Sequence, residues 1–348
     1  MSRGVRWTVV VLIVAGVAAG GAFVVNGRLS RPFQGYESAE QFVDILPGEG
    51  PAAIARTLVA GGVVRDRWTF RLALARSGAA RRLQAGEYRF DHPMTAAEVV
   101  AVLEHGKVFV RSVTFPEGLT IREMGRIFEA RGLGSAGAFT AAARAATALV
   151  RDIDPSARDL EGYLFPATYA LSRRAGAAEL VRMTVARFRE IFTPDLQAAA
   201  LAQGLSPRQA ITLASLVEKE TATLEERPVV AGVYLRRLKV GMPLQSDPTV
   251  IYALALRNQY DGNLTHANLA VDSPYNTYRY PGLPPGPIAA PSRTSIEAVA
   301  HPEPVDYLYF VSRNDGTHVF ARTLAEHNRN VREYQVEYFR RQKTQDRQ

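Results

Sequence analysis

One uncharged run near the start of this 348-residue chain constrains its folding more than any other feature. In "MSRGVRWTVVVLIVAGVAAGGAFVVNGRLSRPF", Arg3 and Arg6 precede a stretch from Trp7 to Gly27 that carries no charged side chain. As a helix rising 1.5 Å per residue, that stretch spans roughly 30 Å, about the hydrocarbon thickness of a bilayer. It exceeds the roughly 7–15 apolar residues of a signal-peptide core, so an uncleaved anchor is expected. Small residues around Ala18–Ala22 leave cleavage as the alternative. Arg28 and Arg31 follow the run and weaken the positive-inside signal, but the very short tail favours residues 28–348 outside the cytoplasm. No later segment is apolar for long enough to span. The sequence therefore predicts a single-pass inner-membrane protein with a large extracytoplasmic part.

Composition narrows the class without choosing a function. The formal net charge is +8 and cysteine is absent. A basic balance suits nucleic acid, a lipid surface or a polyanionic wall. Lack of cysteine excludes disulfides, thiolate metal sites and an acylated-cysteine anchor. His266, His301, His318 and His327 lack metal-ligand spacing, and no phosphate-binding, dinucleotide or nucleophile-elbow motif occurs, so no metal and no cofactor are expected. The terminal "NRNVREYQVEYFRRQKTQDRQ" reads as a solvated basic helix rather than a nucleic-acid arm.

Residues 1–6 are a predicted cytoplasmic tail, 7–26 the transmembrane helix and 27–40 a polar linker. Beyond it, "LPGEGPAAIARTLVAGGVV" (Leu46–Val64) resembles "FPEGLTIREMGRIFEARGL" (Phe115–Leu133): a strand end, a glycine turn, an amphipathic helix, a glycine stop. "MTAAEVVAVLEHGK" echoes the helix and its stop, and "LQAGEYRF" reads as a strand. Thr95 and Thr120 are predicted N-caps, with Glu98 and Glu123 as capping-box partners. Such strand–helix units resemble the LysM module, which binds N-acetylglucosamine-containing glycans; the plainer reading is a duplicated supersecondary unit, and no aromatic platform for a sugar is evident. The expected fold class is α+β, with a LysM-like domain at 41–113, a connecting region at 114–159 and a C-terminal α+β domain at 160–340.

The second domain contains "ITLASLVEKETATLEERPVV" (Ile211–Val230), a helix started by Ser206 and Pro207 that carries Glu218 and Glu220 in an apolar setting. At 100° per residue, Ile211, Ala214, Ser215 and Glu218 share one face, while Glu220 points about 160° away, near Leu213, Leu216 and Val217. The two carboxylates cannot both serve one site directly. Partial burial raises a carboxyl pKa, as a general acid near neutrality requires. Either glutamate could instead pair with Arg227, Arg236 or Arg237, and periodicity does not choose between them. The stretch 241–293, rich in proline and glycine with tyrosine, asparagine and threonine between, reads as long stiffened loops of the kind that build ligand sites. A hairpin, "DYLYFVS" and "THVFAR" joined by "RNDG", and a helix from about Leu324 close the chain.

"LASLVEKET", "LQSDPTVIY", "YNTY", "GLPPGPI", "AHP", "YLYFV" and "HVF…HN", in this order from about residue 40 to 335, resemble the endolytic lytic transglycosylases of bacterial cell walls, the MltG (YceG-like) family. That resemblance implies a lyase that cuts the β-1,4 bond from N-acetylmuramic acid to N-acetylglucosamine in nascent peptidoglycan strands. It leaves 1,6-anhydromuramic ends and so limits strand length. It implies Glu218 as the acid/base, Glu220 as a supporting residue, and Gln245, Asp247, Asn276, Thr277 and Tyr278 as cleft residues. It implies glycan strands, peptidoglycan synthases and elongation or division proteins as partners. Two other readings stand beside it: a non-catalytic glycan-binding scaffold, and a cytoplasmic small-molecule lyase of the aminodeoxychorismate type, against which the membrane segment argues.

Overall fold

A computed structural model describes residues 3–338 and residue 340; the side chains of residues 3–6, 8–11, 14, 18 and 22 lie outside that description. The chain divides into two compact units. One runs to Arg111 and includes Ala170–Arg174; the other takes Ser112–Tyr169 and the chain from Ala175 onward.

The first unit begins with helix α1, Arg3–Ser30, followed by β1 (Gln41–Ile45), α2 (Pro51–Ala60), α3 (Arg67–Ser77), β2 (Gly86–Phe90) and α4 (Ala96–Glu104). Strands β1 and β2 pair antiparallel with Val43 opposite Tyr88 and Ile45 opposite Gly86. Their alternation puts Val43, Ile45, Tyr88 and Phe90 on one buried face, under Leu58, Phe70 and Leu103 from the helices. Leu29, near the end of α1, is part of the same core. Among the described residues no helix is long and apolar enough to cross a membrane. The expected span over 7–26 includes many of the residues whose side chains fall outside the description.

Next come β3 (Arg111–Thr114), α5 (Ile121–Ala130), α6 (Ala136–Ala145), β4 (Thr168–Leu171), α7 (Ala177–Ile191), α8 (Pro194–Ala202), α9 (Pro207–Glu220), α10 (Arg227–Lys239), α11 (Asp247–Leu256), α12 (Arg293–Ala300), β5 (Tyr309–Ser312), β6 (His318–Ala321) and α13 (Leu324–Val331), which passes into a π-helical turn, Arg332–Glu337. Half-helical with small sheets, the architecture is α+β, as expected. The tail beyond residue 340 lies outside the described residues. The internal echo is real at its stops. Gly62 after α2 and Gly132 after α5 both take left-handed φ, +66° and +65°. Each donates to the carbonyl three residues back, and Val63 and Leu133 donate five back, to Leu58 and Phe128. These are paired Schellman closures, which a side chain at the glycine would strain.

Helix α9 is the hub of the second unit, packed by α8, α10, α11 and α12. Ala210 to Val217 are all buried. A helix apolar on every side is a core helix, not an amphipathic surface one. One expectation needs correction: 241–293 is not all loop, because Asp247–Leu256 forms α11. Pro248 sits in its first turn, where a missing amide donor costs nothing, so proline there begins a helix rather than breaking one.

Candidate active site

The last turn of α9 sends its two glutamates to different surroundings. Glu218 is held on every side. Its Oε1 accepts from Arg227 Nη2 at 3.1 Å, and its Oε2 accepts from the Ser292 amide at 2.8 Å and the Ser292 hydroxyl at 2.5 Å. Arg227 also donates to the hydroxyls of Ser292 and Thr294. Both side chains of the ion pair are 5% exposed. Ser292 is the N-cap of α12, so this pair ties α9 and the start of α10 to α12. Glu117, 3.9 Å from Arg227, has its carboxyl pushed up by burial and by the charge of Glu218. Lys219, between the two glutamates, donates to the Gly118 carbonyl at 3.2 Å.

Glu220 opens instead onto a polar cavity of about 400 Å³, lined by Arg237, Gln245, Asp247, Tyr278, His327 and Asn328 among others. Burial pushes the Glu220 carboxyl above its usual range, and the charge of Asp247 adds to the effect. Ser246 Oγ donates to Glu220 Oε2 at 3.2 Å and pulls the other way; Tyr234 does too, though its hydroxyl reaches toward the site without a hydrogen bond of ordinary geometry. A carboxyl group whose pKa is raised beside an open recess is suited to donate a proton to a ligand there.

The cavity walls come from separate elements. Asp247 opens α11, and its Oδ1 accepts from the Tyr278 hydroxyl at 2.6 Å. Gln245, one of three non-glycine residues at positive φ among those described, is held at +50°. Its amide donates to the Thr277 carbonyl at 3.2 Å. A left-handed glutamine is costly, and the surrounding structure imposes it where the side chain meets the recess. Arg237 is fixed by donating to the carbonyls of Leu244 and Leu308, each at 2.6 Å. His327 stacks on Tyr309, ring centroids 5.1 Å apart, and burial with the nearby Arg237 charge lowers its pKa, so it is neutral.

Of the sequence-predicted residues, Glu220, Gln245, Asp247 and Tyr278 meet at this cavity. Asn276 and Thr277 do not reach it; both are fully buried and hold the loop. Asn276 Nδ2 donates to the carbonyls of Leu269 and Val271, and its Oδ1 accepts from the Tyr278 amide. Thr277 Oγ1 accepts from the Ser246 amide at 3.0 Å and lies 2.9 Å from Thr249 Oγ1. Glu218 is absent from the lining, its acceptors taken up by the Arg227–Ser292 cluster. The expectation that one glutamate pairs with an arginine therefore falls to Glu218. His318 binds Glu226, donating its amide at 2.8 Å with Nδ1 2.7 Å from the other carboxylate oxygen. The sequence does not single out Arg237, Tyr309 and His327 for the cleft; "YLYFV" and "HVF…HN", far from the glutamates in sequence, are the signal that could have found Tyr309 and His327, and Arg237 lies in neither motif.

The family model of the YceG-like family matches residues 43–333. A Bacillus subtilis (strain 168) protein named endolytic murein transglycosylase is 30% identical over 329 residues, covering 90% of each chain. A Streptococcus pneumoniae (strain D39) protein of the same name is 29% identical over 354 residues, covering 93% of this chain and 63% of its own length. The crystal structure of a yceG-like protein from Listeria monocytogenes, lmo1499, superposes with a TM-score of 0.57 at 28% identity, covering 83% of this chain and 98% of that one.

Proposed function

Because the chain belongs to the YceG-like family, we propose that it is, like the relatives named endolytic murein transglycosylase, a lytic transglycosylase of peptidoglycan, with Glu220 as its acid/base. The observation that carries the assignment is the division of the two glutamates: Glu220 faces the polar cavity with a raised pKa, whereas Glu218 is saturated by Arg227 and Ser292. The resemblance alone pointed to Glu218; geometry favours its neighbour two residues on, and Glu218 is read as the strut that holds α9 against α12.

The chemistry needs one carboxyl group that changes state. Glu220 protonates the glycosidic oxygen leaving the muramic C1. The same group, now a carboxylate, takes the proton from the muramic C6 hydroxyl as that oxygen closes on C1 to give the 1,6-anhydro ring. The nucleophile is tethered to the reacting carbon, which gives it a high effective concentration. Hydrolysis by the usual routes recruits a second carboxyl as base or nucleophile. Here the second carboxyl at the cavity, Asp247, is engaged by Tyr278. Its charge adds to the burial that raises the Glu220 pKa, and in this reading it faces the positive charge that grows on the sugar ring. Gln245, Tyr278, Arg237 and Asn328 supply polar contacts to the saccharide.

In this reading the run at residues 7–26 anchors the protein in the inner membrane. Residues 160–340 carry the reaction, and the β1–α2–α3–β2 order in 41–113 supports a LysM-like module. An enzyme tethered there meets new, uncrosslinked strands beside the synthases that extrude them.

The test is mass spectrometry of products from uncrosslinked peptidoglycan, comparing wild type, Glu220→Gln and Glu218→Gln. Internal fragments ending in 1,6-anhydromuramic acid, lost with Glu220→Gln, are expected. Reducing ends would make water the nucleophile and Asp247 its base. Binding without cleavage by the wild type would leave the glycan-binding scaffold.

A further inference from the structure

Helix α3 has two faces of unlike chemistry. Phe70, Ala73 and Leu74 are buried in the first unit's core. The opposite face presents Trp68, 78% exposed, Leu72, 37% exposed, and Ala75, at the i, i+4, i+7 spacing of one stripe. Exposed Arg67 and Arg71 flank the stripe on one side and Arg76 on the other. The helix contains no acidic residue, and the aspartate before it, Asp66, is occupied capping its first turn by accepting from the Thr69 amide and hydroxyl. The Arg71 guanidinium lies over the Trp68 ring, 5.5 Å from its centroid. A tryptophan left open to solvent beside arginines is a poor protein surface, but it suits the boundary between apolar chains and charged headgroups.

The position of this face fixes its depth. Val25, Arg28 and Leu29 of α1 and Trp68, Arg71 and Leu72 of α3 line one shared groove of about 420 Å³. If residues 7–26 span the bilayer, Val25 sits where the span ends, and the α3 residues beside it sit at headgroup level. Arg31 and Arg65, both exposed, enlarge the positive field there. Clustered arginines within a Debye length of a surface are attracted to acidic lipids.

We propose that the Trp68–Leu72 face of α3, with the end of α1, is a docking surface for anionic phospholipid headgroups, seating the first unit on the bilayer beside its own anchor. The proposal rests on the anchored reading above. Trp68 inserts its ring at the acyl boundary, while Arg28, Arg67 and Arg71 bind phosphates. The outcome is an orientation for the first unit that a tether alone does not provide.

Trp7 and Trp68 are the two tryptophans of the chain, so Trp7→Phe in the full-length protein isolates the signal of Trp68. This variant is reconstituted in bilayers of phosphatidylglycerol or of phosphatidylcholine, each with and without brominated acyl chains. Expected are a blue-shifted emission, loss of emission on bromination in phosphatidylglycerol, and a smaller loss in phosphatidylcholine. The loss should shrink with Arg67→Gln/Arg71→Gln, and when salt rises from about 0.1 M to 1 M, which shortens the Debye length from about 10 Å to about 3 Å. Protein that floats with the bilayers while Trp68 stays solvent-like and unquenched overturns the docking but leaves the anchor. Equal quenching in both lipids, unaffected by charge removal, overturns recognition of anionic headgroups. A blue shift without quenching that grows with protein concentration assigns the face to a second copy instead. Failure to float removes the anchor and the docking together.

Discussion

The two glutamates of α9 give a sharp experiment because substituting them should damage different things. Glu218→Gln leaves shape almost unchanged but replaces a carboxylate with an amide. The Gln side chain has one oxygen where Arg227, the Ser292 amide and the Ser292 hydroxyl all need acceptors. Arg227, 5% exposed, then loses its close counter-charge and keeps only Glu117, 3.9 Å away and 54% exposed, so neither solvent nor that neighbour gives much relief. Breaking a buried pair from one side costs about 3–5 kcal/mol. At about 2–4 °C per kcal/mol for a body of this size, thermal unfolding should fall by roughly 6–20 °C. The activity per folded molecule, measured well below that transition, should survive. Glu220→Gln should do the reverse. It removes a group whose charging burial opposes, so stability holds or rises, while strand cleavage falls by about 10²–10⁴-fold, the usual worth of a general acid/base. Paired calorimetry and anhydro-end counting on both variants read this out. Full cleavage by Glu220→Gln, or a Glu218→Gln protein that is inactive with an unshifted transition, would refute the division of labour.

Three further outcomes follow from the same geometry. Cleavage needs Glu220 protonated, so its rate should fall as pH rises through the raised pKa; Asp247→Asn removes a charge that helps hold that pKa up, and the alkaline limb of the pH–rate profile should move to lower pH. Glu161, buried and accepting from the Ile121 amide and the Tyr252 hydroxyl, is pushed up to about 8. Its folded pKa lies above its unfolded one, so its contribution to stability is full below the unfolded value, near 4.5, and is lost as pH rises toward 8, by about 1.4 kcal/mol for each pH unit climbed; Glu161→Gln should flatten that fall in chemical denaturation run between about pH 4 and 9. Asn276→Ala strands the carbonyls of Leu269 and Val271 and the Tyr278 amide, which at about 1–3 kcal/mol for a buried unmet group should cost stability first and activity through a loosened Tyr278.

Local chemistry in the sequence foretold several structural details. The capping boxes at Thr95–Glu98 and Thr120–Glu123, the Ser206–Pro207 start of α9 and the hairpin turn at "RNDG" all form as their residue types require. These are contacts within four residues, where side-chain chemistry decides. Helix α11 was hidden because Pro248 and the prolines after it read as loop, although proline in a first turn is permitted. The stripe on α3 was hidden because the helix itself was not foreseen among arginines. For the cavity, "YNTY" marked one loop, yet the chain uses Asn276 and Thr277 inward and only Tyr278 outward. A motif names the residues that build a loop without separating its struts from its contacts.

The same limit governs "VEKE". Periodicity correctly put the two carboxyls on opposite faces of one helix, which meant that only one could reach any given recess. It could not say which, because both flanks of α9 are buried and the deciding partners lie far along the chain: Ser292 and Thr294 on one side, Gln245, Asp247, Tyr278 and His327 on the other. Burial alone was a poor guide, since both groups are withdrawn from water. What differs is compensation. An arginine and a serine together donate three hydrogen bonds to Glu218, so its acceptor sites are filled by the protein and it serves as a link between helices. Glu220 faces open space, and burial with the like charge of Asp247 raises its pKa against the pull of Tyr234, Ser246 and His318, which makes it the better acid.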